Sequence, residues 1–161
     1  MPVRHTTSSD NSFSATGDTE WERDHTVVDI GYQVDWNTAL TAPADSQTYY
    51  IGPGGPLATT AAIAVMPITK AGTITDISVE IGVHGTLGTT ENATLALGLN
   101  NTSFTTISST ARHNAARQAY TLTGQSIAVV AGDYLQLRIV EPAFVTNPTN
   151  VIYGCHVFVE V

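Results

Sequence analysis

The chain has 161 residues, one domain's worth with some left over for an extension, and a net charge of −8. A chain of this size buries roughly two-thirds of its unfolded surface, so it needs no staple to fold. Its basic residues, Arg4, Arg23, Lys70, Arg112, Arg117 and Arg138, are scattered, which excludes the clustered phosphate contacts of a nucleic-acid binder, and no stretch approaches the roughly 18 apolar residues of a membrane helix.

Acidic charge is concentrated at the start. Residues 1–45 hold Asp10, Asp18, Glu20, Glu22, Asp24, Asp29, Asp35 and Asp45 against Arg4 and Arg23, a balance of −6, and residues 46–161 hold six acids against four bases, a balance of −2. The first segment also lacks sustained periodicity and has no apolar core of a secretory signal. These features predict an extended arm over 1–45 and a globular domain over 46–161. The arm carries Phe13, Trp21, Ile30, Tyr32 and Trp36, whereas disordered tails are poor in aromatics. Such side chains on an arm are anchors for pockets on another surface. The run 27–34 also fits a first strand of the domain, with Trp36 in its own core.

Short strands separated by turn signals follow. Residues 47–51 form a strand that the Gly52-Pro53-Gly54-Gly55-Pro56 cluster ends. The apolar run 59–68 is a strand with Pro67 at an edge or exit. After Gly72 the alternation is clear: Ile77, Val79, Ile81 and Val83 face one way, against Ser78, Glu80 and Gly82. Leu95, Leu97 and Leu99 repeat it before an Asn100-Asn101 turn, and a short strand covers 104–107. Residues 110–119, with Ala111, Ala115, Ala116 and Ala119, are a turn or two of helix or a long loop. Strands over 118–122 and 126–130 flank the Gly124-Gln125 turn.

Ala131-Gly132-Asp133 is a tight turn in which Gly132 takes a positive φ and Asp133 accepts a backbone hydrogen bond. Leu135, Leu137 and Ile139 then point inward. Val151, Tyr153, Cys155, Val157, Val159 and Val161 alternate to the last residue, which predicts a strand in the middle of a sheet. About eight short antiparallel strands imply an all-β, two-sheet sandwich.

From Gly72 onward the pattern resembles the jelly-roll modules of bacteriophage surface proteins, both fibre-head and capsid-decoration domains. It is broadly similar to the trimeric jelly rolls of tumour necrosis factor and of complement globular heads. Gly72-Thr73-Ile74 at a strand start, Asn100-Asn101 after a Leu strand and Gly132-Asp133 before an amphipathic strand carry the resemblance. Residues 5–25 resemble the His- and Asp-flecked segments that attach phage fibre proteins. The resemblance implies an antiparallel jelly-roll β-sandwich preceded by an extended N-terminal arm. It also implies a homotrimer made in the host cytoplasm and placed on the virion surface. The chain lacks the coiled-coil heptads or triple-helical shaft of long fibres, which favours a compact particle-surface protein.

No catalytic signature is present, with no Gly-x-Ser-x-Gly, phosphate-cradling loop or His-Glu-x-x-His. Cys155 and His156 are adjacent on a strand, so they point to opposite faces and cannot act as nucleophile and base. Cys155 reads as a small buried hydrophobe. His5, His25, His84, His113 and His156 lack metal-ligand spacing. Asp18, Glu20, Glu22, Asp24 and His25 cluster, yet without the central Gly of a Ca²⁺ loop they read as a solvated or Arg-paired acidic arm. Asn92-Ala93-Thr94 and Asn100-Asn101-Thr102 read as ordinary turns. Tyr49, Tyr50, Tyr120, Tyr134 and Tyr153 fit core or interface packing better than a sugar platform. No enzyme activity, cofactor or metal is expected. The expected partners are copies of the chain itself and, through the arm, the major capsid protein or another virion protein. The alternative is a tail- or head-fibre tip that grips a host receptor or glycan through loops such as 85–92 or 142–150.

Overall fold

The computed structural model describes residues 31–53, 65–89, 91–113 and 117–161. Ten strands run in chain order as β1 Tyr32–Thr41, β2 Thr48–Ile51, β3 Met66–Pro67, β4 Gly72–Val83, β5 Asn92–Leu99, β6 Ser103–Arg112, β7 Gln118–Leu122, β8 Ile127–Val129, β9 Tyr134–Val140 and β10 Asn150–Glu160. One sheet has the order β1-β10-β4-β7, with β8 also on β4. The other has the order β2-β9-β5-β6, with β3 also on β9. The pairings nest: β1 with β10, β2 with β9, β4 with β7 and β8, β5 with β6. All are antiparallel, and the result is a jelly-roll β-sandwich with ten strands among the described residues, where about eight were expected.

Side chains alternate across each strand, so one face of each sheet supplies the core. Ile74, Ile77, Val79 and Ile81 of β4 meet Leu95 and Leu97 of β5, Leu135, Leu137 and Ile139 of β9, and Val151, Tyr153, Cys155, Val157 and Val159 of β10. Ile74 and Ile77 are three residues apart, and strict alternation would send one of them outward. The register between β4 and β10 shifts at this point: Phe158 pairs with Asp76 and Val159 with Ile74. Thr75 is the extra residue of a bulge, both isoleucines are fully buried, and the Thr75 carbonyl accepts the Gln125 N–H at 2.8 Å.

As expected, the last strand lies inside a sheet, with β1 on one side and β4 on the other. Gly132 has φ +97°, and Asp133 Oδ2 accepts the Val130 N–H at 2.8 Å, as the turn chemistry predicted.

Several expectations are corrected. Residues 32–45 belong to the sandwich rather than to an arm. All ten residues of β1 pair with β10 without a register break, from Tyr32 with Val159 to Thr41 with Asn150. Alternation then carries Val34, Trp36 and Leu40 into the core. The 110–119 candidate forms no helix among the described residues, because β6 runs to Arg112 and β7 starts at Gln118. Asn92, Ala93 and Thr94 open β5 instead of making a turn. Of the run 59–68, residues 59–64 lie outside the described residues, and the described part is the two-residue edge strand β3 followed by buried Ile68.

Candidate partner-binding surface

Of the five expected arm anchors, Phe13, Trp21 and Ile30 lie outside the described residues. The other two serve the domain itself. Trp36 is 5% exposed within the core. Tyr32 packs half-buried against that core, and its hydroxyl donates to the Lys70 carbonyl at 2.7 Å.

The outer face of the β1-β10-β4-β7 sheet carries exposed apolar and paired polar side chains. Alternation in β10 points Ile152, His156 and Phe158 outward, and both Ile152 and Phe158 are exposed. The register sets Asp35, His156 and Ser78 abreast on β1, β10 and β4. His156 Nδ1 lies 2.8 Å from Asp35 Oδ1, which also accepts from Gln33 Nε2 at 2.7 Å. Gln33, Asp76, Ser78, Thr121, His156 and Phe158 line a shallow depression of about 180 Å³. Farther along, Arg117 reaches Glu80 at 2.9 Å.

An Asp–His–Ser row invites comparison with a nucleophilic triad. Only the Asp–His half is made here, because the Ser78 hydroxyl lies 3.4 Å from Thr121 Oγ1 instead. Ser78 sits on β4, which is paired with β10 on one side and with β7 and β8 on the other, so the backbone N–H groups beside it are committed to the ladder. The row lies across β1, β10 and β4 and gives the face a mixed polar and apolar texture. The sequence signal was available, since β10 alternation alone puts His156 and Phe158 on one face. The partners Asp35 and Gln33 were not, because they come from a strand more than 100 residues away in sequence.

A second polar cluster is sealed inside. Tyr153 donates to Glu141 Oε1 at 2.7 Å, and its hydroxyl lies 2.8 Å from His113 Nε2. His113 and Glu141 are 0% and 2% exposed, and Phe144 stands edge-on to the imidazole. Burial first, then the Glu141 charge, holds the Tyr153 phenol well above its ordinary value, so it stays a donor. His113 Nε2 is 3.3 Å from Glu141 Oε2, yet that oxygen and His113 Nδ1 make no aligned hydrogen bond. The cluster has no access to solvent. Burial likewise pushes the Cys155 thiol far up, and the nearby Asp35 charge adds to this, which leaves Cys155 without thiolate character.

Two loops meet at one end of the sandwich. Thr89 N–H donates to the Thr146 carbonyl at 2.8 Å, Thr149 N–H to the Thr86 carbonyl at 3.1 Å, and Thr86 N–H to Thr149 Oγ1 at 2.8 Å. Val145 N–H donates to Glu91 Oε1 at 3.1 Å, and the Val145 side chain is 84% exposed. These are the loops 85–92 and 142–150 that the fibre-tip alternative singled out. Among the described residues no group of three or more His, Cys, Asp or Glu is placed to hold a metal ion, and no helix is long and apolar enough to cross a membrane.

No protein-family model matches the chain, and no curated protein does. Among solved structures, the crystal structure of FLHE aligns with 80% of this chain and 98% of its own, at 15% identity and a TM-score of 0.40. At that TM-score the likeness carries nothing about function.

Proposed function

We propose that this protein is a non-enzymatic structural component of a phage particle surface. In this reading it is a trimeric jelly roll that docks on the shell through the segment preceding β1. The observation that carries the proposal is the division of the chain. The sandwich runs from β1 to β10, and the 31 residues before it hold Phe13 and Trp21 among six acids and two bases. Apolar anchors rimmed by charge are the layout of an inserted side chain. Three such segments on one trimer act together through effective concentration, so no single contact needs to be strong. The outer sheet face supports the same reading, since it carries exposed Ile152 and Phe158 beside a shallow depression.

The test is to delete residues 1–26 and assay binding to particles stripped of the native protein. A folded chain that no longer binds is expected, and unchanged binding would refute the docking role. A second reading, a fibre tip gripping a host receptor or glycan, draws on the two hydrogen-bonded loops and their exposed Val145. Copy number per particle separates the two: hundreds favour decoration, a few dozen or fewer favour a fibre.

A further inference from the structure

We infer that the edge of β1, unpaired among the described residues, is a strand-acceptor site, and that its occupant is the Ser/Thr-rich stretch 3–16 of a neighbouring copy. The inference rests on the proposed docking role of the segment before β1 and gives that segment a second contact.

Sheet edges present unpaired N–H and C=O groups, and proteins blunt them with short strands, bulges, proline or charge. Three of the four edges here are blunted. The β7–β8 edge is broken into strands of five and three residues. The β2–β3 edge is broken into four and two, and the second contains Pro67. On β6, the pairing with β5 has two register irregularities. The β1 edge has none of these features. It is ten residues long, pairs in unbroken register with β10, and contains no Pro, Gly, Lys or Arg. Its one charge, Asp35, is turned across the sheet face to His156. Among the described residues β1 pairs with β10 alone. An antiparallel strand turns about half of its backbone groups to each side, so about five N–H and five C=O groups face outward over roughly 33 Å.

Charge selects the occupant. A tight hairpin at Gly31 would lay residues 18–29 of the same chain along β1, with Asp29 diagonal to Asp35 and Asp24, Glu22, Glu20 and Asp18 along the strand beyond it. Like charges across a strand pair are destabilising. Residues 3–16 are free of Gly and Pro, half Ser or Thr, and neutral in sum, with Arg4 against Asp10. They are separated from β1 by that acidic stretch, and the 15 residues from 17 to 31 reach up to about 50 Å when extended, enough to reach a neighbouring copy. Main-chain hydrogen bonds would supply the affinity, and Phe13 an apolar side-chain contact.

The experiment uses the full chain, without particles, in sedimentation and amide hydrogen exchange. The wild type should sediment as an oligomer with its outward β1 amides protected. A full-length chain carrying Ser8→Pro and Ser12→Pro should melt at the same temperature, sediment as a smaller species and exchange those amides about tenfold faster or more. Ala39→Lys, on the exposed side of β1, should weaken assembly in the same direction. A wild-type monomer with exposed β1 amides overturns the proposal. So does a monomer with protected amides, which would mean that the chain's own residues cover the edge. An oligomer that keeps its β1 protection in the proline variant also overturns it. Unchanged particle binding by the chain lacking residues 1–26, with the wild type and the proline variant behaving as expected, would instead refute only the docking role.

Discussion

Asn100 and Asp133 clasp two turns that lie 33 residues apart in sequence: Asn100 Nδ2 donates to Asp133 Oδ1 at 2.7 Å. Asn100 Oδ1 also accepts the Tyr134 N–H, and Asn100 N–H donates to the Tyr134 carbonyl, both at 3.0 Å. Asn100 and Asn101 have φ of 53° and 56°, and the Thr102 N–H closes their turn onto the Leu99 carbonyl. One asparagine therefore satisfies a left-handed backbone position and ties the β5–β6 turn to the start of β9. Asn100→Gly keeps the backbone freedom and loses the clasp, while Asn100→Ala loses both. Thermal melting should rank wild type above Asn100→Gly above Asn100→Ala. Equal melting of the two variants would show that only the φ matters.

The same clasp sets a pH dependence. The Asn100 amide, and then the Val130 N–H, hold the Asp133 carboxyl below its ordinary value. A depressed folded pKa means that this stability is present above the unfolded aspartate value, near about 4, and is lost as pH falls through the lower folded value. Asp133→Asn should therefore melt below wild type at neutral pH, with the gap closing on acidification. A gap that stays constant from neutral pH to below about pH 3 would contradict the assignment.

Gly132→Val tests the turn itself. Gly132 sits at φ +97°, and a Cβ there would meet nothing within 4 Å. The cost is backbone strain alone, about 1–2 kcal/mol and somewhat more for a β-branched side chain. Gly132→Ala should show most of the same loss. A melting temperature within a degree or two of the parent would overturn the positive-φ assignment.

The two tryptophans should behave differently. Trp36→Ala empties a core position and should cost about 3–5 kcal/mol of stability. Trp21→Ala should leave melting unchanged and weaken particle binding by about 2 kcal/mol or more if the docking proposal holds. A fall in melting temperature for Trp21→Ala would place that residue on its own domain.

Cys155 should resist thiol reagents in the native protein and react only on denaturation, since it is fully buried with its thiol held protonated. Labelling of the native protein at the rate of a free thiol would show that β10 opens.

Period-2 alternation is a local property, and it was enough to define β4, β9 and β10, to place Leu135, Leu137 and Ile139 inward, and to put the last strand inside a sheet. Turn chemistry is also local, because Gly132 and Asp133 depend on their own backbone and its nearest neighbours. Charge misled the boundary at 45. Asp35 and Asp45 are acidic like the arm, yet β1 is fixed by ten pairings to a strand at the far end of the chain. The 110–119 stretch misled for a related reason: alanines suit a helix, but its ends are strands paired with β5 and β4. The Asp35–His156 contact, the sealed His113–Glu141–Tyr153 cluster and the Asn100–Asp133 clasp join residues far apart in sequence. No local pattern encodes them, because only the winding of the jelly roll brings β1 against β10 and the β5–β6 turn against the start of β9.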